Sequence, residues 1–474
     1  MTNAKMPGMT SARELLEASL DRIESVDPLV NAVCTLNPDA LRDADDLDAH
    51  AAAGRRRGPL HGQPILVKDN IDTADLLTTA GSLALAETPP TADAVLVRRL
   101  RDAGMVVVGK SNLSEWANLR DEGSSSGWSA YGGLTRNPYA LNRSAGGSSS
   151  GSGAAVAARL ARFAVGTETD GSITCPAAFN GCVGFKPTVG RVPTTGVVPI
   201  SASQDSPGPM ARTVADAAAL LSVLAADGTD YAAHAVDGAL AGKRIGVPRK
   251  VFWGYSPHAD AAGELALRQL SQAGATIVDN TDLDAMVDYG FEDELIVLLA
   301  EIEAGMRDYL VTRPAGGPTS LADIVEFNRS HADTELQYFG QSFFELALET
   351  PGLDSEAYRA ARAACLAHGR DDGIDAVLRE HDLDALVTPA YAPAVPIDLV
   401  NDEHHWGSCT QPAAMAGYPL LTVPVQLAHG MPVAVSFWGT GHSEATLVEV
   451  AHGYELARDA DTGPLSEPTF AQFV

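Results

Sequence analysis

SAGGSSSGSGAAVAARLARFAVGTETDGS, residues Ser144–Ser172, joins a serine-rich loop to a helix, a strand and a second loop. GAAVAARLAR, Gly153–Arg162, reads as the helix, because alanine, leucine and arginine lose least on becoming helical. Phe163–Val165 reads as a short strand. A helix of about ten residues rises roughly 15 Å, and a loop and strand of four or five residues return about the same distance. Ser148 before the helix and Ser172 after the strand therefore come back to one end of the unit. GTETDGS, Gly166–Ser172, then leads into a further helix that Pro176 opens. Successive backbone N–H groups of such a loop converge on an anion, which is what an oxyanion hole requires.

On either side of this unit, helices and strands alternate. Ser11 and Glu14 form a capping box before an amphipathic helix. PILV, Pro64–Val67, is an apolar strand ending at Lys68. Ala94–Ala103 reads as helix, Met105–Val108 as a buried strand and Ser114–Arg120 as a short helix. Further helices are expected near Ala259–Ala273, Asp293–Leu310 and Ser443–Arg458, with strands at RIGVP, TIVDN, ALVTPA, LTVPVQL and PVAVSFWG. This alternation predicts an α/β fold, a single large sheet covered by helices on both faces, in one large domain. Gly123–Gly153 is rich in Gly, Ser and Asn, but Trp128, Tyr131 and Tyr139 interrupt it, so it reads as a loop set on a scaffold rather than a linker.

The formal net charge of −28 repels phosphate backbones and anionic membranes, so neither is an expected partner. Cys34, Cys175, Cys182, Cys365 and Cys409 are odd in number and irregularly spaced, which argues against a disulfide framework and a zinc site. No metal is expected. MTNAKMPGMT lacks an apolar core of the signal-peptide kind, and no run is apolar and long enough to span a bilayer. A cytoplasmic location is the resulting expectation.

Two motif matches fail on their surroundings. GMVVVGKS, Gly104–Ser111, fits the phosphate-loop pattern, yet Met-Val-Val-Val forms strand where a flexible loop is needed. It reads instead as a buried strand ending in Gly109, with Lys110 reaching solvent. GSSSG, Gly147–Gly151, would make Ser149 the nucleophile of a strand-to-helix elbow, but turn-like YALNRSAGG precedes it and no later histidine has a suggestive context.

Three residues remain. Lys68 is one of only six lysines, none of which follows Lys250, and it ends an apolar strand. A desolvated lysine loses its proton more easily and can act as a base; a surface lysine at a strand end is the plainer alternative. Ser148 and Ser172, taken alone, are ordinary helix-cap or turn serines.

Together, LVKDN, SAGGSSSGSGAAVAA and GTETDGSITCPAAFNGCVGFKPTVGR resemble the amidase-signature family, whose spacing matches the 24 residues from Ser148 to Ser172. GPLHGQPILVKDN, AGMVVVGKSNLSEWAN, SGWSAYGGLTRNPY, SQDSPGPMARTVADAAALL and SLADIVEFNRSH resemble the branch that removes the C-terminal amide of peptides. The commoner nucleophile loop is GTDTGGS followed by Ile-Arg. Here Glu168, Asp170 and Thr174 depart from it, and Ser150 replaces a glycine. The peptide-amide branch resembles this pattern, which argues against the glutamine amidotransferase branch.

The resemblance implies an amidase-signature fold over residues 1–474, with a catalytic core of approximately 55–225 plus 380–460 and a helical substrate-side insertion of approximately 255–375. It implies Ser172 as nucleophile, Ser148 as relay after a cis Gly147–Ser148 bond, and Lys68 as base. Backbone N–H groups of Thr169, Asp170, Gly171 and Ser172 would form the oxyanion hole. A primary carboxamide, first of all a peptide C-terminal amide, would yield acid and ammonia through an acyl-enzyme, without cofactor or obligate partner. The alternatives are small aryl or aliphatic amides, or a glutaminase-type subunit that works with a partner and tRNA. The expected cleft walls are Ser124–Trp128, Phe291–Phe344 and Tyr391–Trp406. Tyr338, Phe339, Phe343 and Phe344 either line an acyl pocket or take the commoner aromatic role of core packing.

Overall fold

The computed structural model describes residues 10–403 and 407–473. Its apolar runs become Val33–Leu36 (β1), Pro64–Lys68 (β2), Val106–Ser111 (β3), Phe163–Glu168 (β4), Val183–Lys186 (β5), Ser206–Ala211 (β6), Arg244–Val247 (β7), Thr276–Asp279 (β8), Ala385–Pro389 (β9), Leu420–Ala428 (β10) and Met431–Trp438 (β11). They form one sheet in the order β1-β3-β2-β4-β6-β5-β10-β11-β9-β7-β8. β3, β2 and β4 run parallel, as do β9, β7 and β8; the other pairings are antiparallel. The sheet is therefore mixed.

Alternation along each strand divides the core in two. Ile65, Val67, Phe163 and Val165 pack on one face with helices Val95–Asp102, Val214–Leu224, Pro257–Gln272 and Glu444–Thr462. Leu66, Ala164 and Met210 pack on the other with helices Ala12–Val30, Ala40–Ala52 and Ser150–Ala157. The two-residue period of a strand requires this division, and each fully buried aliphatic or aromatic side chain contributes about 1.5–3 kcal/mol. Lys68 continues the parity of Leu66 and so turns toward the helix that follows the serine-rich loop.

Several boundaries move. The helix expected over Gly153–Arg162 runs Ser150–Ala157. It begins early because only small residues fit there: a Cβ on Gly151 would lie 2.3 Å from the Ala32 carbonyl oxygen and 2.5 Å from that of Asn112. Pro176 does not open the next helix; it sits in the first turn of Thr174–Asn180, where its missing N–H costs nothing. β3 continues through Lys110, which does not reach solvent. Lys110 is wholly buried, its ammonium 3.1 Å from an Asp69 carboxylate oxygen and bonded to Ile71 O, Leu77 O and Thr78 Oγ1. Ser114–Arg120 holds only the short turn Glu115–Asn118, with Trp116, Ala117 and Asn118 all in the left-handed region.

Helices Glu292–Leu310, Leu321–Ser330 and Ser342–Glu349 lie over one end of the sheet, packing Leu298, Ile302, Ile324 and Phe344 on Trp116, Leu119 and Ile200. Among the described residues, no helix is long and apolar enough to cross a membrane.

Candidate active site

Lys68 closes β2 with no exposed surface. Its Nζ lies 2.8 Å from Ser148 Oγ, 2.9 Å from Thr167 Oγ1 and 3.2 Å from the Thr167 carbonyl oxygen. Asn70 Nδ2 donates to the same Thr167 hydroxyl at 3.0 Å, so the amine sits in a fixed polar socket. Burial disfavours the ammonium and brings Lys68 down to about 7, although Asp205 and Glu168 pull the other way.

The peptide bond Gly147–Ser148 is cis. Ser149, the rejected elbow serine, is turned inward: its Oγ donates to Thr167 O at 3.1 Å and accepts from Thr167 N at 3.2 Å. Ser150 meets Ser114 Oγ at 3.3 Å, and Ser152 donates to Val165 O at 3.1 Å. These hydroxyls fasten the helix start to β4 and to the turn before Glu115. The Ser149 N–H donates to Ser172 O at 3.0 Å, which stitches the two loops together.

In the second loop, Glu168 accepts from Ile173 N at 2.7 Å, Thr174 N at 2.8 Å and Thr174 Oγ1 at 3.0 Å. Two departures from the commoner family loop, Glu168 and Thr174, are thus partners of one another. Gly171 turns the chain at φ +81°, and a Cβ there would lie 2.4 Å from the Tyr391 hydroxyl. Among the described residues, no protein acceptor is bonded to the backbone N–H of Thr169, Asp170, Gly171 or Ser172. Burial raises the Asp170 carboxyl to about 6, against a bond from Thr410 that lowers it.

A cleft of about 400 Å³ opens above this loop. Ser172 is 8% exposed and lines it, whereas Ser148 and Lys68 are wholly covered, so of the three only Ser172 faces the cleft. The cleft wall includes Asn118, Ile200, Phe291, Leu298, Phe343 and Tyr391, and among the described residues no lysine or arginine lines it. A larger cavity of about 600 Å³, between Leu83–Leu85 and the loop 313–319, contains none of these groups.

Of the expected walls, Ser126, Phe291, Leu298, Phe343 and Tyr391 line the cleft; His404, His405 and Trp406 lie outside the described residues. Phe344 is core, edge-on to Trp116, and Phe339 packs under Arg120 and Trp128. Tyr338 is 38% exposed against Trp128, leaving Phe343 as the only one of the four aromatics in the wall. Sequence reasoning missed the left-handed turn at Ala117–Asn118, which lies inside AGMVVVGKSNLSEWAN, and Ile200, Gly407, Ser408 and Thr410, which carry no local motif. It also missed Thr167 and Asp205; the first lies inside GTETDGS and the second inside SQDSPGP, but only the folded chain reveals their partners.

The family model described as Amidase matches residues 14–448. The crystal structure of native peptide amidase from Stenotrophomonas maltophilia superimposes with a TM-score of 0.91 at 46% identity, covering 98% of this chain and 96% of that one. An amidase family protein from Bacillus anthracis gives a TM-score of 0.85 at 31% identity, covering 96% and 89%. A glutamyl-tRNA(Gln) amidotransferase subunit from Chloroflexus aggregans is 36% identical over 96% of this chain and 95% of its own length.

Proposed function

The chain belongs to the amidase family and hydrolyses a carboxamide, and from that premise we propose that its substrate is a peptide C-terminal amide, cleaved by Ser172, Ser148 and Lys68. The observation that carries this reading is the buried Lys68 Nζ, 2.8 Å from Ser148 Oγ and brought by burial to about 7. As a neutral amine, Lys68 gives its two N–H bonds to Thr167 O and Oγ1 and turns its lone pair to the Ser148 hydroxyl. Ser148 passes its proton to Lys68 and takes the proton of Ser172, whose oxygen attacks the amide carbon. The carbonyl electron pair moves onto oxygen and is met by the N–H groups of Thr169, Asp170, Gly171 and Ser172. One such donor typically contributes about 100- to 1,000-fold in rate. Collapse expels the nitrogen, protonated back through Ser148, as ammonia. Water then cleaves the Ser172 ester by the same relay.

The peptide-amide substrate is supported by the 46% identity to a peptide amidase and by a cleft wall that, among the described residues, sets Ile200, Phe291, Leu298 and Phe343 beside the donor loop and holds no lysine or arginine. Glutamine brings a free carboxylate that no lysine or arginine among the described lining residues pairs. The single-domain reading, with residues of approximately 255–375 as the substrate-side insertion, is supported by one sheet that takes strands from Val33 to Trp438.

The test is ammonia release from C-terminally amidated di- and tripeptides, benzamide, acetamide and glutamine. Peptide amides turn over fastest, and Ser172→Ala and Lys68→Ala each lose at least about 1,000-fold while staying folded. Preference for small amides would overturn the substrate, and full activity in either variant would overturn the residue roles. Turnover of glutamine alone would move the enzyme to the amidotransferase reading.

A further inference from the structure

Asp205 stands one residue before β6, and the β4–β6 register pairs Glu168 with Ser206. That register brings Asp205 alongside Thr169, the first residue of the donor loop. Asp205 Oδ1 accepts from Thr169 Oγ1 at 2.6 Å. Its Oδ2 accepts from the N–H of Ile200 at 2.8 Å and of Ser201 at 3.0 Å. Ile200 and Thr169 both line the cleft. One carboxylate therefore ties the donor loop to the opposite wall.

The same carboxylate faces the base. Asp205 and Glu168 are the two acids acting on Lys68. Glu168 is occupied by the N–H groups of Ile173 and Thr174 and also faces Lys186. Asp69, next to Lys68 in the chain, is paired with Lys110 at 3.1 Å. Glu301, from helix Glu292–Leu310, acts on Asp205 as a like charge while accepting from Ser203 N at 3.0 Å.

We propose that Asp205 is a positioning residue of this amidase, which fixes Thr169 against the Ile200 wall and sets the basicity of Lys68 through its charge. The proposal rests on the Lys68–Ser148–Ser172 reading. Burial raises Asp205 to about 6 against the bonds from Thr169 Oγ1 and the Ile200 and Ser201 N–H groups, so it carries its charge above that pH, where Lys68, brought to about 7, becomes neutral. An anion near an ammonium stabilises the protonated form. Removing the charge therefore makes Lys68 lose its proton at lower pH.

The experiment is kcat/KM for ammonia release from an N-acylated dipeptide amide between about pH 5 and pH 9, alongside the circular dichroism of each protein. In Asp205→Asn the acidic limb moves down by about one pH unit, and the plateau falls because the carboxylate no longer grips all three donors. In Thr169→Val the limb stays at its wild-type position and the plateau falls by about tenfold, since only the position of the donor loop is disturbed. Should Asp205→Asn fail to fold, Asp205→Ser replaces it as the charge-free variant. A folded charge-free variant with an unmoved limb overturns the proposal, as does a Thr169→Val limb that shifts with it. Lys68→Ala separates the two readings: if it is inactive while the Asp205 limb is unmoved, only the role of Asp205 falls, and if it is active, the base assignment falls first.

Discussion

Lys68 and Lys110 show what a residue's neighbourhood decides. Both are lysines near the end of an apolar strand, and both are wholly buried. Lys110 meets the Asp69 carboxylate at 3.1 Å. Lys68 meets hydroxyls and a carbonyl, and burial brings it to about 7. The difference lies in partners contributed by distant segments, so sequence reading sent Lys110 to solvent while recognising Lys68 by its motif. The adjacent serines separate in the same way. Ser148 touches the amine, whereas Ser149 bonds to both backbone groups of Thr167. Ser149→Ala therefore leaves the buried Thr167 N–H without this acceptor and its carbonyl with Lys68 as its remaining side-chain donor, and lowers stability by about 1–3 kcal/mol, while turnover stays within about tenfold of wild type. Ser148→Ala reverses this pattern, with a small change in melting temperature and turnover down by at least about 100-fold. Comparing steady-state ammonia release and thermal melts for the two variants checks the assignment; loss of turnover in Ser149→Ala with a retained fold would restore the elbow reading.

At the scale of elements, the strands were legible because alternation along β2 and β4 sends neighbouring residues into opposite cores. Element ends were less legible, because they are fixed by close approach: the helix after Ser149 starts where Gly151 lies against Ala32 and Asn112. The cap over the cleft was legible as helices and, through the range Phe291–Phe344, as a wall, but its attachment was not, since that is electrostatic and non-local. Arg120 pairs with Glu115, donates to Glu335 O at 2.6 Å and to Phe339 O at 3.3 Å, and lies 4.1 Å from the Phe339 ring centroid. Glu335 in turn accepts from Leu83 N at 2.8 Å. This buried cluster ties the left-handed turn Glu115–Asn118 to the segment that carries Phe343. Arg120→Met leaves Glu115 and Glu335 facing each other without a cation, which costs about 3–5 kcal/mol. Denaturant unfolding should show that loss, and kcat/KM should fall with it because two cleft walls lose their common anchor. An unchanged unfolding midpoint would mean that apolar packing alone holds the cap.

Across the whole molecule, the acidic balance is felt inside as well as on the surface. Burial raises the carboxyls of Asp27, Asp72 and Asp205 to about 6 and that of Glu455 to about 7. In the unfolded chain each of these loses its proton near the ordinary carboxylate value. Between about pH 5 and pH 7 the folded protein thus holds protons that the unfolded chain has released, and stability falls as pH rises. Lys68 and Lys186, lowered to about 7 and about 8, act in the opposite direction, but only at higher pH, where the unfolded chain keeps a proton that the folded one has lost. The net charge of −28 adds self-repulsion that grows over the same acidic-to-neutral interval. The melting temperature should therefore decline from about pH 5 to about pH 7 and then level off. Glu455 isolates the cause: its carboxylate accepts the Val214 N–H, at 3.1 Å, at the start of helix Val214–Leu224. Glu455→Gln keeps an acceptor there and removes the titration, so its melting temperature should exceed wild type at pH 7 and approach it at about pH 4. Parallel melting curves in which the two proteins differ by a constant amount at every pH would assign the decline to surface repulsion instead of the buried acids.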